Sequence, residues 1–371
     1  MRQKPVFLAV TAIALLSVTA PPLVRAAHPP RSGFVYVATN DPDGNSVIGF
    51  QRTESGALIK RRETRTGGSG GTGNGVGALD PLGSQNSLVL AGPDGPLLVV
   101  NAGSDTVSSI DIDGERAFLI RPAPSGGSFP NSIAVDGSLV YVLNAHGTPN
   151  VSGFRLDSRG LLNPIPSSTR ALPGGASSKP QDVRFTPDGT RLIVTEGGTN
   201  QFDIFELGPD GLITNVVTQP ASGSGVFGFT SGRGGVLLAT AAGTASLASY
   251  TLGTDDTLSV ITPSLTDGQA ATCWLSLTRD GRFAFVSNTG SGTFSTYEVS
   301  ASGGLSLSSA VAAKVSGSAP IDSGLSADGG FLYADDSARG AILSFAVHGG
   351  SLQQLATVSG LPTTIQGIVV E

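Results

Sequence analysis

The stretch Lys179–Leu207, KPQDVRFTPDGTRLIVTEGGTNQFDIFEL, decides the fold. An apolar run, Val183–Phe185, enters a Thr-Pro-Asp-Gly turn at Thr186–Gly189, and a second run, Leu192–Thr195, leaves it. A polar, glycine-containing corner at Glu196–Asn200 then leads into an alternating third run, Phe202–Leu207. Short apolar and β-branched runs bounded by Pro, Asp, Gly and Asn read as strands. The Pro-Asp-Gly element supplies a turn φ followed by a residue able to take φ > 0.

The same pattern recurs on both sides of this stretch. Second runs end at Asn40, Asn101, Asn144, Glu196, Ala241, Asn288 and Asp336, at intervals of 61, 43, 52, 45, 47 and 48 residues. Seven units at this period predict an all-β, seven-bladed β-propeller with four-stranded blades. After the N-terminal segment no run shows the 3.6-residue apolar period of an amphipathic helix. The first unit lacks a first run and opens on its second, Phe34–Asn40, whereas the C-terminus carries a spare first run, Ile365–Val370. The spacing therefore predicts that Leu361–Glu371 supplies the inner strand of the Gly33–Gly67 blade and closes the ring, which removes an exposed edge.

Residues 1–26 open with Arg2 and Lys4, continue through an uncharged apolar core, Val6–Ala20, and reach Val24-Arg25-Ala26. This is the pattern of a cleavable secretory signal peptide, with the apolar run too short for a spanning helix. The expected mature chain, 27–371, is a single propeller domain, secreted or periplasmic, with no membrane insertion after cleavage. Removal of Arg2, Lys4 and Arg25 takes the formal charge from −6 to −9. That balance argues against nucleic acid and anionic lipid as partners. Cys273 is the one cysteine, so no intrachain disulfide forms, and the three histidines have no zinc-ligand spacing, so neither a metal nor another cofactor is expected.

The long first gap contains Gly67–Ser84, GGSGGTGNGVGALDPLGS, with a literal G-x-G-x-x-G at Gly68–Gly73 and a G-x-S-x-G at Gly67–Gly71. Both motifs need a strand-to-helix context that is missing here, so the stretch reads as a flexible loop.

In a propeller the starts of first strands and the ends of second strands gather at one mouth of the central channel. That geometry nominates Asn131, Asn144, His146, Lys179, Gln181, Asp182, Glu196, Cys273, Trp274, Asn288, Asp322, Asp335 and Asp336 as the residues lining a polar depression. Asp182 and Glu196 serve either as an acid/base pair or as acceptors for backbone N–H groups of adjacent corners. Trp274 either packs between blades or roofs the mouth as an apolar wall for a ring-shaped ligand.

The units FVYVATN, LLVVNAGSDTVSSIDI and RFAFVSNTGSGTFSTYEV, the PDG-type hairpins and the closing LPTTIQGIVV together resemble the lactonase family of seven-bladed propellers. That group includes 6-phosphogluconolactonases and fungal carboxymuconate cyclases. The LLVVNAGSDTVSSIDI stretch is also similar to repeats of bacterial surface-layer propellers. Active members carry His-Pro-His, Asp-Leu-Gly and Pro-Arg-His elements. Here Lys179-Pro180-Gln181 stands for the first, Glu196-Gly197-Gly198 for the second, and Gly225-Val226 replaces the Arg-His pair. The resemblance implies a hydrolase or cycloisomerase acting on a sugar-acid or muconate lactone. Glu196 or Asp182 would then be general base toward water, with Lys179 or an asparagine polarising the carbonyl. The alternative is a non-catalytic propeller that binds a small molecule, carbohydrate or protein at the same mouth.

Overall fold

The computed structural model describes Met1 and residues 33–73, 79–113 and 116–371. The signal-peptide segment, apart from Met1, and His28 lie outside the described residues. Seven antiparallel sheets follow one another along the chain as the blades of a β-propeller, six hydrogen-bonded in sequence order from inner to outer strand and the first taking its inner strand from the C-terminus.

The diagnostic stretch forms most of the fourth blade, with strands Pro180–Phe185, Arg191–Glu196, Gln201–Leu207 and Ile213–Pro220. Its turn forms for the reason read from the residues. Thr186 Oγ1 donates to Asp188 Oδ1 at 2.6 Å, the Gly189 N–H donates to the Thr186 carbonyl at 2.9 Å, and Gly189 takes φ +68°. The fifth, sixth and seventh blades repeat the plan, and their second strands end at Ala241, Asn288 and Asp336 as the spacing predicts. In the third blade the outer strand is split into Leu162–Pro164 and Arg170–Ala171. Pro164 and Pro166 lack the N–H groups a continuous ladder needs.

Ring closure occurs as expected. Ile368–Val370 pairs antiparallel with Phe34–Ala38, aligning Val35 with Val370, Tyr36 with Val369 and Val37 with Ile368. The core lies between blades rather than within one. Val35, Val37, Ile48 and Phe50 of the first blade pack on Tyr333 and Ile342 of the seventh, with Ile365 fully buried among them. Tyrosine hydroxyls tie blade to blade: Tyr141 donates to the Gly211 carbonyl and Tyr333 to the Gly56 carbonyl, both at 2.8 Å. Gly56 takes φ +82°, and a Cβ there would lie 2.3 Å from the Phe331 ring, so this seam admits only glycine.

The C-terminal end of the Gly67–Ser84 stretch differs from the flexible loop read from its composition. Residues 80–85 are all buried on the propeller axis, where they bond to most of the surrounding inner strands. Ser84 Oγ donates to the Asn131 carbonyl of the third blade at 2.7 Å. The Gln85 N–H donates to the Gln181 carbonyl of the fourth at 2.9 Å, and Gln85 Nε2 donates to the Leu275 carbonyl of the sixth at 3.2 Å. Across the fifth blade, Gly228 leaves room for the Gln85 amide, since a Cβ would sit 2.2 Å from its Oε1. Gln366 of the closing segment holds the remaining side: its Nε2 donates to Asp80 Oδ1 at 3.0 Å and to the Ser84 carbonyl at 2.9 Å, while its Oε1 accepts from the Leu82 N–H at 2.8 Å. The segment is a plug.

Candidate functional site

The plug reorganises the predicted mouth. Four nominated residues meet on it: Asn131 and Gln181 through their carbonyls, Asp182 through Asn86, and Trp274 through Ser84. Asp182 is fully buried. Its Oδ1 accepts from Asn86 Nδ2 at 2.7 Å, and its Oδ2 from Arg184 Nε and the Phe229 N–H, both at 3.1 Å. Burial raises its pKa against the pull of Arg184 and these hydrogen bonds. Asp322 is 4% exposed and is raised well above the usual carboxylate range, first by burial and then by Asp335, Asp80 and Asp182. Burial likewise lifts Asp335, Cys273 and Asp80, the last to about 7 although Gln366 and the Gly83 N–H hold its carboxylate form. The centre of the ring is thus a set of buried carboxyls beside the Arg184 guanidinium.

Trp274 has no exposed surface. Its indole N–H donates to the Ser84 carbonyl at 2.7 Å, and its ring meets Phe227 edge-on with centroids 4.8 Å apart, beside Cys273 and Ile321. Its emission is expected at short wavelength and resistant to acrylamide quenching. Trp274→Ala should destabilise the chain by about 3 to 5 kcal/mol, because it opens a cavity at the axis and leaves the Ser84 carbonyl with Gln366 Nε2 but without the indole N–H. An exposed, readily quenched indole would overturn this placement.

A second group of nominated residues turns inward, into blade corners. Asn288 donates to Thr293 Oγ1 at 3.2 Å and Ser295 Oγ at 2.8 Å while accepting from Thr272 Oγ1 at 2.7 Å. Asn144 bonds to the Ser125 carbonyl and Asn150 Oδ1 at 3.3 and 3.0 Å. Asp336 Oδ1 accepts from the Ala319 N–H at 2.9 Å, and its Oδ2 lies 3.7 Å from Arg339 Nε. Glu196 is fully buried, with Oε1 accepting from the Gly174 N–H at 3.1 Å and Oε2 from Thr199 Oγ1. Its neighbour Asp203, also without exposed surface, is pushed up to about 8 by burial and then by Glu196. Both Glu196 oxygens are occupied before any ligand arrives.

Three nominated residues keep accessible surface: Gln181, half-buried beside the plug, Lys179 and His146. Lys179 is exposed, at φ +43°, just before the inner strand of the fourth blade, and the Pro180 carbonyl beside it accepts from Asn131 Nδ2 at 2.9 Å. His146 ends the second strand of the third blade, half-buried, stacked on Phe129 with centroids 4.1 Å apart. Desolvation lowers its pKa below 6.5, with Asp105 opposing, so the imidazole is neutral at pH 7. Asp105 and Ser128 join it at this corner. Ser128 pairs with His146 in the ladder, and its hydroxyl donates to Asp105 Oδ1 at 3.2 Å. Sequence reasoning missed Asp105, Ser128, Asp80 and Gln366. Asp80 and Leu82, a charged and an apolar residue inside a Gly/Ser-rich stretch, were the available signal for the plug. Among the described residues no group of three or more His, Cys, Asp or Glu is placed to hold a metal ion.

Residues 227–364, from the inner strand of the fifth blade to the closing segment, match the family described as Lactonase, 7-bladed beta-propeller. The match bears out the resemblance read from the sequence. Among solved structures, the chain is similar to the periplasmic gluconolactonase PpgL of Pseudomonas aeruginosa, with a TM-score of 0.72 at 20% identity over 91% of this chain and 99% of that one. It is also similar to a protein of Bacteroides fragilis provisionally assigned as a 6-phosphogluconolactonase, with a TM-score of 0.73 at 18% identity over 91% and 98% of the two chains. A Lactobacillus plantarum protein follows, with a TM-score of 0.71 at 20% identity over 89% and 97%. At these identities the structural likeness shows the shared fold. Among curated proteins, a sequence search finds no match.

Proposed function

We propose that this lactonase-type propeller is exported and opens a sugar-acid or muconate-type lactone at the face where the inner strands begin, with His146 as general base. One observation carries the choice of residue. Of the nominated acid/base groups at that face, His146 is the one that is both partly open to solvent and in its proton-accepting form at neutral pH, whereas Asp182 and Glu196 are buried with their oxygens engaged. Among the described residues its ring nitrogens bond to no protein group, so they are available to a water molecule. Lys179, exposed on the adjoining blade, supplies positive charge for the developing oxyanion. The likeness to a periplasmic gluconolactonase and the signal-like segment at residues 1–26 support a periplasmic or secreted location.

Hydrolysis of a panel of aldonolactones and muconolactones, phosphorylated and unphosphorylated, tests this reading. Activity should rise with pH through a midpoint below 6.5, where the imidazole loses its proton, and then level off. His146→Gln should lower kcat by about 10² to 10⁴ and abolish that limb, with little change in melting temperature. An unaffected His146→Gln enzyme would remove His146 from the mechanism. Saturable binding of a lactone without turnover would instead favour a non-catalytic binding propeller, the reading that the engaged oxygens of Asp182 and Glu196 support.

A further inference from the structure

The acidic whole-chain charge conceals a local reversal on the outer rim. Residues 33–371 carry eighteen Lys and Arg against twenty-eight Asp and Glu. Yet the outer strands of the first two blades, Leu58–Arg65 and Arg116–Pro124, hold six of those cations and a single acid, Glu63. The two strands pack beside each other, and Leu119 reaches the end of the first, where a Cβ on Gly67 would lie 3.0 Å from its side chain. Lys60 pairs with Glu63 at 2.9 Å, Arg61 holds the Gln51 amide oxygen, and Arg65 holds the Gly44 carbonyl. Arg116 and Arg121 are exposed and have no ion pair or hydrogen bond among the described residues. Asp111 and Asp113 stand opposite Phe118 and Arg116 across the ladder, Glu115 precedes Arg116 in the sequence, and with Glu63 these are the acidic counterweight to the six cations.

Between Arg116 and Arg121, Phe118 is 52% and Leu119 37% exposed, with Ile59 at 43% on the neighbouring strand. Beyond Arg121 the strip runs into a groove of about 380 Å³ between the second and third blades, walled by Pro122, Pro124, Phe154, Leu162 and Ile165. Large apolar side chains left in water beside exposed cations are the make-up of a surface that rests on anionic lipid: the cations take headgroup phosphates and the apolar groups enter the acyl boundary. A soluble polyanion would use the cations and leave Phe118 and Leu119 in water.

We propose that the outer rim of the first two blades docks peripherally on an anionic membrane surface through Lys60, Arg61, Arg116 and Arg121, with Phe118 and Leu119 entering the lipid. This proposal is independent of the lactone reading.

Co-sedimentation of the full chain with phosphatidylcholine vesicles, with and without phosphatidylglycerol, tests it. Binding to the anionic vesicles should exceed binding to the neutral ones by about tenfold or more and weaken with salt. The double variant Arg116→Gln/Arg121→Gln should lose about tenfold of that affinity. Phe118→Ser should lower vesicle binding while leaving binding to heparin unchanged. All three positions are exposed, so melting temperatures should match the parent. Equal partition between the two vesicle types would overturn the proposal. So would vesicle binding indifferent to Phe118→Ser, which would assign the patch to a soluble polyanion.

Discussion

A chain ending at Gly360 is expected to lose cooperative unfolding altogether. The missing segment supplies the inner strand of the first blade, and its backbone bonds to that blade through the Ala38, Phe34 and Gln366 peptide groups. Ile365, fully buried between the first and seventh blades, contributes about 1.5 to 3 kcal/mol by itself. Loss of Gln366 removes one hydrogen-bond partner each from Asp80, Leu82 and Ser84, which loosens the plug and weakens the satisfaction of three buried groups at once. The summed cost is comparable with the whole net stability of a domain, about 5 to 15 kcal/mol. Urea denaturation followed by tryptophan emission is the measurement, because Trp274 sits on the plug. A truncated chain with the parent's midpoint and slope would show that ring closure carries no stability.

The melting temperature is expected to fall as pH rises from about 4 to about 8. Asp80 and Asp203 have pKa values pushed from 3.8 up to about 7 and about 8, in both cases first by burial. Between those limits the folded chain keeps each proton and the unfolded chain releases it, so every pH unit costs up to about 1.4 kcal/mol per group. Below 3.8 both states are protonated and the dependence ends. Asp182, Asp322, Asp335 and Asp336 are raised as well and act with the same sign. The turn carboxylates Asp188, Asp280 and Asp328 are shifted the other way by side-chain hydroxyl hydrogen bonds. Their contribution is lost only as pH falls below 3.8, outside this window. Calorimetric scans across the range should show the decline, and Asp80→Asn should flatten part of it. A melting temperature that climbs steadily from pH 4 to pH 8 would refute the buried, protonated carboxyl centre.

The blade plan was legible because its determinants are local. Alternating runs such as Phe202–Leu207 select a strand, and Thr186–Gly189 selects its turn through hydroxyl, carboxylate and glycine φ within a few residues. Ring closure was legible too, since a missing first run at Phe34 and a spare one at Ile365–Val370 are facts of counting. The site was legible only as a set of positions around one mouth. Whether Glu196 meets water or the Gly174 N–H, and whether Trp274 faces a ligand or Ser84, depends on groups supplied by an interblade connection and by the plug. Trp274 and Ser84 lie 190 residues apart in the chain, Gln366 and Asp80 286. The plug shows the limit most clearly: burial of residues 80–85 comes from the channel around them, and a Gly- and Ser-rich stretch has no apolar period with which to announce it. Repetition along the chain therefore settled the architecture, while desolvation and hydrogen-bond satisfaction, which belong to neighbours in space, decided which residues are free to act.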